Sequence, residues 1–303
     1  MVFAELDMHL AMNSKVMPTA LVPDGRSDIA AFFGLEEGLP HEAICQGLVS
    51  ELLKSDGAYF RAAADCKTLQ GCQLIRMPGL ESLAAGCVVQ TLAGCKHYDA
   101  SARIQSVEER LLDLDCSHAR FYQQYPDSRL EQCFIQRGYR AVEEIALLNT
   151  FNTCIDVEDE EIQLRPVCSE GDWSLKLSLH HETAEDPDGH CSSAVSWLDM
   201  ERRKCEAGYM EPFLIYSHDE PCGAVNFSLS KQLGRLKNLV IHPQWRRKGI
   251  GVEAAKLIAC MARDHGKAAA GCFAIDNAPS LALYQSAGYV PVSKQIEWFK
   301  ALT

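Results

Sequence analysis

The residues best suited to chemistry stand in one turn, Arg246-Arg247-Lys248-Gly249-Ile250-Gly251. An apolar run, Leu236 to Ile241, leads into it, and a helix-like run ending near Gly266 follows. Glycines let a backbone come close to a ligand. The free amides of a first helical turn, backed by the helix dipole, favour negative charge. Arg246, Arg247 and Lys248 add to that field. The pattern is an anion cradle, and the residues alone leave its ligand open.

The elements that position the cradle are legible in the second half of the chain. Ile162–Pro166 reads as a strand. Ser169 with Asp172 three residues on is a helix-capping pair, opening a helix through about His181. A loop from Glu182 to Gly189 leads to a second helix, Ser192 to Glu206. Phe213–Tyr216 and Ala224–Leu229 read as strands joined at Asp219-Glu220-Pro221. Leu236–Ile241 is the strand before the cradle. Ala268–Ile275 is a buried strand, Pro279–Ser286 a helix with proline near its start, and Val290–Phe299 a strand that closes the sheet.

The first half is less regular. Residues 1–40 are rich in proline and glycine and read as irregular structure with short helical turns. His41 to about Ala64 carries Ile44, Leu48, Leu52 and Leu53 at helical spacing. Gln73–Met77 reads as a strand, Leu80–Leu92 as a helix, and Ser106–Leu114 as a charged, leucine-rich segment. Ser128 caps a helix that Gly138 ends in a left-handed cap, and Tyr139–Leu148 alternates like a strand. This helix–Gly–Tyr–strand pattern recurs at Gly288-Tyr289, 150 residues after Gly138-Tyr139. The recurrence suggests two copies of one fold, with a boundary in the acidic run Asp156–Glu161.

At 303 residues the chain is long enough for about two domains of ~150 residues each. A net charge of -12 argues against a nucleic-acid binder, which needs a basic footprint. No apolar run of about 18 residues is present to span a membrane. The 14 cysteines contain no CxxC pair, and the first residues carry Glu5 and Asp7 rather than a signal-peptide pattern. Reduced thiols, no metal site and a cytoplasmic location are the expectation.

Three features of the second half together resemble the GNAT N-acetyltransferase superfamily. The cradle matches that family's Q/R-x-x-G-x-G/A signature. It follows a strand ending Val240-Ile241-His242-Pro243. Asn277 to Tyr289 resembles the N-x-x-A/S-x-x-L-Y-x-x-x-G-F/Y stretch. The resemblance covers about 162–300 and implies an α/β (α+β) fold, a mixed central sheet flanked by helices, in strand–helix order β-α-α-β-β-β-α-β-α-β. Residues 1–155 then look like a degenerate GNAT-like domain with an N-terminal extension, and 162–303 like the acetyltransferase domain. This layout is similar to that of tandem acetyltransferases.

The resemblance implies acetyl-CoA as acyl donor. Its pyrophosphate would meet amides from about Arg247 to Gly251, including those of Lys248, Gly249 and Ile250, with Arg246 adding charge. Val240 and Ile241 would bond the pantetheine arm, and Asn277 would contact the cofactor or order the sheet split. Tyr284 stands where the family often places its general acid. His180, His181, Glu182, Glu185 and His190 fall where the acceptor pocket is usually shaped, and His242 beside Pro243 is expected to be structural. Many relatives carry an acid on the strand before the cradle; here Arg235 to Val240 has none, and Asn238 could hold a water instead. The implied activity is direct acetyl transfer to the amine of a small molecule or peptide, by a monomer or homodimer. The alternative is an acyl-CoA-binding regulatory module without catalysis.

Overall fold

Two helices of this chain end on glycine followed by tyrosine, and the strand after each crosses into the sheet of the opposite half. The computed structural model describes residues 46–302, apart from 82, 84, 93–98, 124–126, 152–161, 184–193 and 276. The first half contains α1 (Gln46–Arg61), β1 (Asp65–Leu69), β2 (Cys72–Arg76), β3 (Cys87–Thr91), α2 (Ala100–Leu112), β4 (His118–Gln123), α3 (Ser128–Gln136) and β5 (Arg140–Asn149). The second half contains β6 (Ile162–Pro166), α4 (Glu170–Thr183), α5 (Ala194–Glu206), β7 (Glu211–Ser217), β8 (Glu220–Leu229) and β9 (Leu233–Ile241). It continues with α6 (Ile250–Asp264), β10 (Ala269–Ile275), α7 (Ala278–Ser286) and β11 (Val290–Ala301). The order of this second half is the one expected from the sequence.

All the strands join one mixed sheet, β1-β2-β3-β4-β11-β5-β10-β9-β8-β7-β6. β11 therefore does not close the sheet at an edge, as expected above. It lies between β4 and β5, antiparallel to both. β5 in turn lies between β11 and β10. Gly138 (φ +79°) and Gly288 (φ +83°) turn the chain out of α3 and α7. The amides of Tyr139 and Tyr289 reach back five residues, to Phe134 O (3.0 Å) and Tyr284 O (2.9 Å), the Schellman pattern. A strand with neighbours on both sides and helices on both faces is buried throughout, which is why Ile145 to Asn149 shows no alternation.

Helices α2, α3, α6 and α7 cover one face, and α1, α4 and α5 cover the other. On β5, Ile145 and Leu147 belong to the core under α6 and α7, while Ala146 and Leu148 pack with Leu48, Val49 and Leu52 of α1. Capping of α4 is as the sequence predicts: the Asp172 carboxylate accepts from the amides of Cys168 (3.0 Å) and Ser169 (2.8 Å), and Ser169 Oγ accepts from the Asp172 amide.

Other expectations are corrected. Leu80–Leu92 is not a helix. Met77 N donates to Gly86 O (2.8 Å), and a chain of turns feeds the wholly buried strand β3. An apolar run fits a buried strand and a buried helix equally well, and a Cβ on Gly86 would meet the Leu80 carbonyl at 1.8 Å. The cap of α3 is Asp127 rather than Ser128, accepting from the amides of Arg129 and Leu130. The turn before β8 is His218-Asp219, both with positive φ; Glu220 and Pro221 already belong to the strand. The expected irregular N-terminus, the start of the helix at His41, the acidic boundary run, most of the Glu182–Gly189 loop and the Ser192 start of α5 lie outside the described residues.

Candidate active site

The cradle sits beside a split in the sheet. β9 and β10 pair only from Leu233–Arg235 to Ala269–Gly271. Beyond that point β9 follows β8 and β10 follows β5, so the two strands part. Leu233 to Leu236 are buried, and Lys237 to Ile241 are half-exposed along the opening. A bulge marks the parting. The β8–β9 register shifts between Ala224 and Asn226, and Asn238 takes φ +54°, a left-handed conformation that asparagine tolerates better than most residues. Val240 and Ile241 pair with Ala224 and Gly223 of β8 on one side, and on the other side β9 borders the split.

The cradle itself begins with a 3-10 turn, Pro243–Trp245, and two residues of positive φ, Arg247 (+64°) and Gly249 (+81°). Gly249 is the N-cap of α6 and supplies no side chain to it. None of the amides from Arg247 to Gly251 donates to a backbone carbonyl of a described residue. A Cβ on Gly249 would meet nothing within 4 Å, so the space above these amides is open. Five consecutive unbonded donors at a helix N-terminus suit a phosphate.

The flanking side chains divide the work. Arg246 Nε donates to Ile241 O (3.0 Å) and ties the turn to the end of β9. That carbonyl is therefore already engaged. Lys248 Nζ lies 4.3 Å over the Trp245 ring, and Arg247 is exposed. Ile250 is buried in the core, so only its backbone faces the cradle. Gly251 answers to packing: a Cβ there would meet Leu283 Cδ1 at 2.8 Å, where α6 and α7 touch.

Tyr284 and Asn277 lie on α7. Asn277 is its N-cap, with Oδ1 accepting from Ser280 N at 2.9 Å. Tyr284 is 9% exposed and packs edge-on against Tyr289, centroids 5.9 Å apart. Its hydroxyl bonds to no described residue. Burial, and then the neighbouring Cys272 thiol, push its pKa up, so it stays a proton donor.

On the α1 face the bulge residue Asn238 finds a carboxylate that the strand itself lacks. Its Nδ2 donates to Glu201 Oε1 of α5 at 2.7 Å. The same oxygen accepts from Asn226 Nδ2 (2.7 Å) and Trp197 Nε1 (3.3 Å), and Lys176 Nζ lies 2.9 Å from Oε2. Lys176 and Glu201 are wholly buried. Burial raises the Glu201 pKa, but Lys176 and the donors around it override that and hold it down at about 2. So low a value suits a clamp on the bulge better than a base. No spacing in the sequence marks Glu201, because Lys176, Asn226 and Asn238 come to it from α4, β8 and β9.

Glu201→Gln should leave a buried ammonium uncompensated and cost about 3–5 kcal/mol, read as a lower Tm. The folded pKa is depressed from its ordinary 4.5, so the stabilisation is present above that value and is lost as pH falls toward about 2. A stability–pH curve of the variant should lack this acid limb.

Of the acceptor-side candidates, His180, His181 and Glu182 fall in the last turns of α4. His180 is half-buried beside the Glu201 clamp; burial lowers its pKa and Glu201 partly opposes this. Glu185 and His190 lie outside the described residues. Closer to the split is a cluster the sequence does not reveal. Asp56 of α1 pairs with Arg235 and with Lys237 (3.0 Å), and Gln295 Nε2 bridges Asp56 (2.5 Å) and Glu144 (2.6 Å).

This arrangement can be set beside known proteins. The family described as "Acetyltransferase (GNAT) family" matches residues 177–289. A thialysine N-epsilon-acetyltransferase of Caenorhabditis elegans is 31% identical over 129 residues, which are 41% of this chain and 80% of that protein. The chain belongs to the GNAT acetyltransferase family. Solved structures carry the same fold. A GCN5-related N-acetyltransferase from Kribbella flavida superposes with a TM-score of 0.62 at 10% identity, over 84% of this chain and 96% of that one. Another from Sphaerobacter thermophilus gives 0.56 at 15% identity, over 76% of each chain. As a GNAT member the chain is an acyltransferase.

Proposed function

We propose that this GNAT protein transfers acetyl directly from acetyl-CoA to a primary amine of a small molecule or peptide, with the second half catalytic. The observation that carries the reading is the run of unbonded amides from Arg247 to Gly251 beside the free edge of β9. Those amides hold the donor's pyrophosphate, and Val240 bonds the pantetheine arm, which extends β9 as an extra strand. Arg246, Arg247 and Lys248 supply field, and Asn277 orders the start of α7 beside the donor. Acetyl-CoA supplies the acyl group as an activated thioester. Tyr284 gives the proton that the departing sulfur needs. The relative named for thialysine favours a lysine-like side-chain amine.

The first half is a degenerate copy of the same fold. Its β3 and β4 run parallel with α2 between them, as β9 and β10 do with α6. Its connection Leu92–Asp99 has no R-x-x-G-x-G, so one donor binds per chain. Among the described residues no helix is long and apolar enough to cross a membrane, and we place the protein in the cytoplasm. The absence of an acid on β9 favours a second reading, an acyl-CoA-binding regulatory module without catalysis.

Isothermal titration should show acetyl-CoA binding. Arg246→Glu should weaken it at least about tenfold, the equivalent of ~1.4 kcal/mol, by reversing charge and freeing Ile241 O. Unchanged affinity would sink the cradle assignment. Thiol release from acetyl-CoA across a panel of thialysine, lysine, polyamines and peptide N-termini separates the enzyme from the regulatory module.

A further inference from the structure

We infer that the acceptor enters as an ammonium and is deprotonated by Glu144, a carboxylate that the first half delivers to the second half's active site on β5. The inference rests on the acetyl-transfer reading above and deepens it, since β9 carries no acid of its own. β5 lies against β10, the far wall of the split. Glu144 pairs with Ile275, the last residue of β10, on one side and with Gln295 of β11 on the other. Ile275 is 53% exposed, which places this register at the lip of the opening. Glu144 shares the strand parity of Ala146 and Leu148, so it faces α1, the face that also holds Asp56. Tyr284 approaches from the opposite face, on α7. Acid and base thus flank the split from its two sides.

The neighbouring carboxylates are held in ion pairs, whereas Glu144 feels Lys237 only through its field. Asp56 of α1 is paired with Arg235 and Lys237 of β9, and Glu297 of β11 with Arg120 of β4. Tyr122 of β4 also faces this cluster. Glu144 has a hydrogen bond from Gln295 Nε2 and no ion-pair partner among the described residues. Gln295 is 1% exposed, and its Oε1 is buried with no hydrogen-bond partner. The half-exposed Glu144 carboxylate is thereby left as an acceptor for an N–H group of an entering ammonium, with the buried Gln295 amide fixing its orientation. Burial, followed by the Asp56 and Glu297 carboxylates, lifts the Glu144 pKa to about 7, where a base works best at neutral pH.

In the reaction the Glu144 carboxylate takes one proton from the ammonium. The freed nitrogen lone pair attacks the thioester carbon, the C–N bond forms, and the C–S bond breaks with its electron pair on sulfur. The sulfur takes the Tyr284 hydroxyl proton. The extra proton on the new amide nitrogen restores the phenol, and Glu144 releases its own to solvent.

The test uses the full chain with acetyl-CoA and thialysine. Glu144→Gln keeps the shape and hydrogen bond, breaks no ion pair and relieves repulsion from Asp56 and Glu297, so Tm should not fall. Its turnover should fall about 10²-fold or more, with acetyl-CoA affinity by calorimetry within twofold of wild type. Wild-type kcat/KM should rise through a limb near pH 7 as the carboxylate loses its proton; Glu144→Gln should lack that limb and Glu144→Asp should keep it. Wild-type turnover and an intact limb in Glu144→Gln would overturn the proposal while leaving the donor reading standing. A wild-type protein that binds no acetyl-CoA would overturn the donor reading itself.

Discussion

Gly249→Val is expected to raise the Kd for acetyl-CoA by about 10²-fold. Gly249 holds φ +81°, where a side chain costs ~1–2 kcal/mol and a β-branched one more. A Cβ at this site meets no protein atom within 4 Å, so the substitution does not disturb packing. The added side chain instead enters the open space above the amides of Arg247 to Gly251, where the phosphates are proposed to sit. Gly138 provides the control. It too is left-handed, at φ +79°, with nothing near its Cβ, and it lies at the end of α3, away from the cradle. Gly138→Val should lower Tm comparably and leave Kd unchanged. If both variants bind acetyl-CoA equally, Gly249 serves only the turn, and the cradle loses its central residue.

Tyr284→Phe is the second large effect. Turnover should fall about 10²-fold, the contribution of a positioned proton donor, with acetyl-CoA affinity within twofold. The fold should tolerate the change. The ring keeps its edge contact with Tyr289, and the hydroxyl bonds to no described residue, so its removal strands no partner. Equal turnover would remove Tyr284 as the acid. Because Tyr284 and Glu144 are proposed to act on one nitrogen–sulfur exchange from opposite faces, the double variant should cost less than the product of the single losses.

Much of the site is written locally. The cradle is a run of six adjacent residues, and its chemistry follows from glycine's freedom at positive φ and from the unfilled amides of a helix start. The Ser169–Asp172 cap and the left-handed Gly138 and Gly288 are likewise set by near neighbours. The roles of individual cradle residues were less legible. Gly251 answers to Leu283, and Arg246 holds the end of β9; both partners were visible only in three dimensions. Residues 80–92 misled because a buried strand without alternation shares its composition with a buried helix.

The sequence by itself determined the parts of the proposed donor site: one cradle, the strand before it, the tyrosine helix after it, and the order of the second half. Tertiary structure alone decided where β5 and β11 lie, and with them the proposed acceptor side. Strand pairing joins residues far apart in the chain, as Glu144 joins Gln295 and Ile275, and no local periodicity encodes that choice. In the sequence Glu143-Glu144 is an ordinary acidic pair in a strand. The partial burial, the neighbouring carboxylates and the Gln295 hydrogen bond that set Glu144 apart arise only when the two halves exchange strands.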